Sequence, residues 1–216
     1  MSELLLSVTE ARVVASLVEK SITTPAYYPM TANALMLAAN QKTSRHPVMN
    51  LGEGEIAHAL NRLEELKLVA RDSFSGRAQK WRQQFLHQML LKPQTQAVLV
   101  ALMLRGPQTL AELRSNAAPL GGPGDDESLR AALNDLADRA QPLVTALARA
   151  PGQSAQRWAQ LLCGADALAL AEPEAPASSP ARVGDADRVE RLEARVATLE
   201  ARLAALEAQL GIDGAA

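Results

Sequence analysis

Cysteine is almost missing from the chain, with Cys163 the sole example among 216 residues. One thiol makes neither an internal disulfide nor a thiolate cluster, so a disulfide-stapled fold and a structural zinc knuckle are excluded and a reducing compartment is indicated. Aromatic residues are also scarce, two each of Trp, Tyr and Phe. With abundant alanine, that leans the composition towards helices. No apolar run approaches the roughly 20 residues that cross a bilayer, and Met1-Ser2-Glu3 opens without a cationic signal segment. These absences predict a soluble cytoplasmic protein with no membrane partner. There is no phosphate-binding P-loop and no glycine fingerprint after a strand, which leaves nucleotide cofactors without support. His46, His58 and His87 stand at no metal-ligand spacing, and no nucleophile and base are paired. The sequence therefore predicts no catalytic residue, no metal site and no cofactor, and a protein that is not an enzyme.

What the chain does have is 48% hydrophobic and 21% charged residues, a globular balance. Its net charge of −2 hides a gradient: residues 1–92 carry 11 cations and 8 anions, residues 93–165 carry 6 of each, and residues 166–216 carry 5 cations and 10 anions. Only the first part is net basic, and modestly so beside a typical nucleic-acid module.

The order of elements repeats. Ser7 and Glu10 stand at capping-box spacing before a helix that starts near Val8 and stops before Thr23-Thr24-Pro25. A second helix follows Thr31, and a third runs from about Glu53 to Lys67 with Ile56, Ala59, Leu60, Leu63 and Leu66 on one face. Residues 68–72 and 78–82 read as two strands joined by a turn containing Gly76. The second segment offers a helix over Gln96 to Leu104 closed by Gly106-Pro107, a short helix capped by Thr109, and a third that Asp126 can cap. A hairpin then turns at Pro151-Gly152. Ile56, Ala59, Leu60 and Leu63 fall on Leu129, Ala132, Leu133 and Leu136 at an offset of 73, Val69 on Val144 at 75, and Trp81 on Trp158 at 77. A period this long predicts two folded domains, not a solenoid. Three helices closed by a two-stranded wing predict a mainly α fold with short β-hairpins (α+β): two tandem winged-helix domains, residues 1–92 and 93–165.

Several motifs carry a family resemblance: Thr23-Thr24-Pro25-Ala26-Tyr27-Tyr28-Pro29, Asn40-Gln41-Lys42, Arg45 with Pro47-Val48-Met49, Leu104-Arg105-Gly106-Pro107-Gln108-Thr109, Glu112-Leu113-Arg114, and Arg149 with Pro151-Gly152-Gln153. In this order over residues 4–164 the chain resembles the bacterial YceH family. The resemblance implies a tandem winged-helix protein of unassigned biochemical function. Ala39 stands where that family usually has Cys, and Gln83 and Gln160 stand near the hairpin ends where it has His. A metal or catalytic role at those positions does not survive such changes.

DNA is the first candidate partner. Arg71, Arg77, Lys80 and Arg82 cluster on the first wing, Lys42 and Arg45 lie just before the third helix where phosphates would pass, and Asn61 and Arg62 lie on that helix's polar face. Glu53, Glu55, Glu64 and Glu65 share the helix and oppose phosphate. The alternative is a protein scaffold without direct DNA contact, resembling the paired winged helices of chromosome-condensation accessory proteins. Arg105 and Gln108 are predicted to tie the two modules together. Tyr27, Tyr28, Trp81 and Trp158 are predicted as packing anchors.

Residues 166–187 form an Ala/Pro/Ser-rich linker. Residues 188–211 carry Val189, Leu192, Val196, Leu199, Leu203, Leu206 and Leu210 at alternating spacings of three and four, the a and d positions of a coiled coil. Arg188, Arg195 and Arg202 at g face Glu193, Glu200 and Glu207 at e of a parallel partner, so the tail predicts a parallel homodimer.

Overall fold

The computed structural model describes residues 4–73, 78–149 and 155–164. The described residues all lie in one unit, Met1–Glu172. The linker and the coiled-coil residues Val189 to Leu210 lie outside the described residues, as do Arg77 and the tips of both hairpins.

Helix α1 (Val8–Thr23) begins where the sequence predicts. Ser7 Oγ accepts the Glu10 N–H at 3.1 Å, and Glu10 Oε2 accepts the Ser7 N–H at 2.9 Å, which satisfies two amides the first turn leaves open. Every residue from Ala11 to Val18 is buried, because α1 is wrapped by its own copy on one side and the next copy's first helix on the other. Strand β1 (Met30–Thr31) leads into α2 (Ala32–Ala39), capped by Thr31 Oγ1 on the Ala34 N–H. Helix α3 (Glu53–Glu65) buries Ile56, Ala59, Leu60 and Leu63, a stripe at helical spacing worth about 2 kcal/mol per large side chain. Strands β2 (Val69–Arg71) and β3 (Lys80–Gln83) follow, and a single-turn helix α4 (Phe85–Gln88) leads to the second half.

There the order recurs. Helix α5 (Pro93–Arg105) is buried throughout Thr95 to Leu104, β4 (Gln108–Thr109) feeds α6 (Leu110–Ala117), and α7 (Asp126–Ala137) buries Leu129, Ala132, Leu133 and Leu136. Strands β5 (Val144–Ala146) and β6 (Arg157–Gln160) complete it. Each half holds a three-stranded antiparallel sheet with the last strand central, β1-β3-β2 and β4-β6-β5. The registers match pair for pair: Met30 and Arg71 oppose Trp81 as Gln108 and Ala146 oppose Trp158, and Val69 opposes Gln83 as Val144 opposes Gln160. The offsets of 73, 75 and 77 are thus realised in space.

Four readings need correction. The two-stranded hairpins are three-stranded sheets; β1 and β4 are two residues each, too short to show alternation in sequence. Helix α5 starts at Pro93 rather than Gln96, since proline suits a first helical position. Asp125, not Asp126, caps α7 by accepting the Ser128 N–H at 2.8 Å. Tyr27 is no packing anchor, with 80% of its surface exposed, whereas Trp81 is buried.

The two halves share one hydrophobic core that runs through α1 and α5. Polar stitches hold its edges. The Leu6 N–H donates to Leu162 O at 2.7 Å, Leu4 and Gln141 exchange two bonds of 3.0 Å, and Arg139 donates to Met89 O and Leu90 O.

Candidate functional site

The segment between α2 and α3, residues 40–52, is where the polar residues singled out in sequence converge. Helix α2 ends with carbonyls that have no partner inside the helix, and two arginines supply donors. Arg12, from the middle of α1, donates to Ala39 O at 3.3 Å and to Pro47 O at 2.8 Å. Arg45 donates to Ala38 O through Nε at 3.2 Å and Nη2 at 2.9 Å, and its fork grips the Glu19 carboxylate. Asn40 pins the far end, with Nδ2 donating to Leu51 O at 2.9 Å and Oδ1 accepting the Leu51 N–H at 2.8 Å.

The second copy joins this assembly. The His46 N–H donates to Leu104 O at 2.8 Å, and Arg105 donates to Ser44 Oγ at 2.8 Å. Gly106 takes φ 72 beside the His46 ring, a left-handed conformation that glycine adopts without strain. Arg105 therefore ties the two halves together as its sequence context suggests. Gln108 is buried and donates to Ala101 O and Gly106 O within its own half.

Charge in the assembly is unbalanced. Arg12 and Arg45 are 2% and 5% exposed, and among the described residues Glu19 is the one carboxylate that reaches them. Burial, helped by the nearby Arg45 charge and opposed by Glu19, pushes the Arg12 guanidinium down to about 10. Its Nε is buried without a partner. Burial alone would raise Glu19, but the bonds and charge of Arg45, with Lys20 beside it, outweigh this and hold it below the ordinary carboxylate range. Burial also lowers Arg105, against the pull of Glu19 and with the push of Arg45. Lys20 reaches Gln41 Oε1 at 3.4 Å, and Lys42 is exposed on the loop.

The candidate nucleic-acid residues fare unequally. Arg45 departs from the sequence expectation of an exposed cation: its guanidinium is buried and is engaged by carbonyls and Glu19. Arg62 pairs with Glu65 at 2.7 Å on the exposed face of α3. Arg71 pairs with Glu64 at 3.1 Å, approaches Asn61 Oδ1 at 3.4 Å and lies 5.2 Å from the Trp81 ring centre. Arg82 pairs with buried Asp72. Lys42 and Lys80 make no ion pair among the described residues, and Arg77 lies outside them.

Sequence reasoning missed Arg12, which reads as one charge in the run Ala11 to Val18. Its signal was position: every other residue in that run lies inside. It also missed that Gln83 Oε1 and Gln160 Oε1, at matching places in the two sheets, are both buried without a partner. Cys163 carries a thiol raised by burial and by Glu10 and lies 3.9 Å from Ser7 O, a packing position. Among the described residues no group of three or more His, Cys, Asp or Glu side chains is placed to hold a metal ion, and no helix is long and apolar enough to cross a membrane.

A family model described as "Protein of unknown function, DUF480" matches residues 6–153. A UPF0502 protein of Delftia acidovorans is 46% identical over 96% of this chain and 93% of its own length. One from Burkholderia orbicola is 43% identical over 87% of this chain and 84% of the relative, and one from Pelobacter propionicus is 42% identical over 90% of each. With a match across most of its length and such identities, the chain belongs to the DUF480, or UPF0502, family of bacterial proteins.

Proposed function

We propose that the chain is a non-enzymatic binding module of two tandem winged-helix copies, dimerised through residues 188–211, and that its first copy engages a protein. The observation that carries this reading is the state of its arginines: Arg45 is inside, while Arg62, Arg71 and Arg82 each already face a carboxylate. Helix α3, which would enter a major groove, instead exposes Glu53, Glu55 and Glu65, with Glu64 half-exposed. Displacing surface ion pairs costs little, but the freed carboxylates would then face phosphates. Large apolar side chains stand out on the same copy, with Tyr27, Leu37 and Val48 exposed by 80%, 64% and 57%, a composition suited to a protein interface. A pull-down with the full chain, with and without nuclease, tests the reading: a protein partner survives digestion, and recovery of nucleic acid alone contradicts it.

DNA remains the second reading on the strength of Lys42 and Lys80, two cations without a carboxylate partner among the described residues. Arg71→Glu with Lys80→Glu separates the two, since DNA binding would collapse while a protein contact elsewhere persists. The homodimer rests on the sequence pattern of residues 188–211. Sedimentation of the full chain against one ending near residue 165 should give a dimer and a monomer, and equal monomer masses would remove it.

A further inference from the structure

We propose that the α2–α3 loop of the first copy is a docking surface for an acidic segment of the partner protein, a reading that rests on the protein-binding function above. Helix α2 and its counterpart α6 face the same need, donors for their last carbonyls. The second copy meets it with backbone alone: the Gly122 N–H donates to Ala117 O at 2.9 Å, and Gly121 takes φ 77. The first copy uses two buried guanidinium groups, a costlier solution for the same end. The second copy shows that closing this helix end does not itself require buried charge.

Lys20, Lys42 and Arg105 add three cations around the buried pair, and Glu19 is the carboxylate among them. Charges held in the interior are poorly screened, so Arg12 and Arg45 project a positive potential through the loop above them. Lys42 is open to solvent there, and Arg105 is half-exposed beside Ser44. The cations come from α1, the loop and α5: Arg12, Lys20, Arg45 and Arg105 all act on Glu19, and Lys42 stands exposed on the loop. Five cations set against one carboxylate among these residues leave a net positive charge, which complements an acidic segment. Exposed Leu37, next to the Ala38 and Ala39 carbonyls, and Val48, next to the Pro47 carbonyl, flank the charged centre with apolar surface. The ligand so described is an acidic peptide with interspersed aliphatic residues.

Fluorescence anisotropy of the full chain with a labelled peptide of repeated Glu-Glu-Leu, beside an oligothymidylate of similar charge, tests this. The peptide should bind more tightly than the oligothymidylate, Lys42→Glu should weaken it about tenfold or more, and Lys67→Glu, just past the C-terminal end of α3, should leave it unchanged. Arg105→Gln, checked for folding by its melting curve, should weaken it as well. No binding of either probe, or equal losses in Lys42→Glu and Lys67→Glu, overturns the docking surface and leaves the protein-binding reading standing. An oligothymidylate that binds tighter than the peptide overturns both.

Discussion

The crossing from second to third helix is built differently in the two copies. In the first it takes residues 40–52 and draws on Arg12, Arg45, Asn40 and a carboxylate from α1; in the second it takes residues 118–125, with a 3-10 turn, three glycines and no buried charge. The sheets and the α3 and α7 stripes are otherwise equivalent. Two copies of one architecture under the same packing demands thus isolate what packing does not require. The extra polar chemistry sits in the first copy, and that is where we propose that a partner binds.

The largest expected effect breaks the first crossing. Glu19→Gln leaves Arg45 and Arg12 without a counter-charge and should destabilise the fold by about 3 kcal/mol in denaturant titration at neutral pH. Because Glu19 is held below its unfolded value, its contribution is present above the ordinary carboxylate range and lost as pH falls through the folded value. The variant should therefore lose part of the wild-type acid sensitivity, and an unchanged acid limb would show that Glu19 does not balance the arginines.

The matching break in the second crossing is steric. A β-carbon on Gly122 would lie 2.6 Å from the Ala117 β-carbon and 2.8 Å from its backbone oxygen, so Gly122→Ala should cost about 2 kcal/mol by strain. This loss should not change as pH falls through the acid range in which the Glu19 contribution is lost. Asn40→Ala should cost about 1 to 2 kcal/mol through the two lost bonds to Leu51, and it should also weaken peptide binding because the loop is no longer pinned. The smallest effect has the opposite sign. Gly54, in the first turn of α3, has nothing within 4 Å of an added β-carbon, so Gly54→Ala should stabilise by about 0.5 kcal/mol, as Glu127 at the equivalent place in α7 already does without glycine.

Much of the shared part was legible. The α3 and α7 stripes, the Thr31 and Thr109 caps and the paired tryptophans follow rules of period and capping that act within a few residues of chain. The differences were not. Arg45 looks like a surface cation beside Lys42, and only the position of Glu19, 26 residues earlier, together with the bare carbonyls of α2, draws it inside. Arg12 has the same explanation across a comparable gap. Arg71 and Arg82 likewise read as free wing cations until the fold brings Glu64 and Asp72 to them. Long-range charge pairing is set by tertiary structure, so a count of basic residues overstates the charge on offer to DNA.

The salt dependence of duplex DNA affinity for the full chain tests that point most directly. If Lys42, Arg45, Arg62, Arg71, Arg77, Lys80 and Arg82 all met phosphates, the log-log slope would be about −6.3 per protomer. With Arg45 buried and Arg62, Arg71 and Arg82 paired, at most Lys42, Arg77 and Lys80 remain, and any binding should show a slope no steeper than about −2.7. A slope approaching the steeper value would show that the carboxylates give way to phosphate and that the first copy is a DNA-binding surface after all.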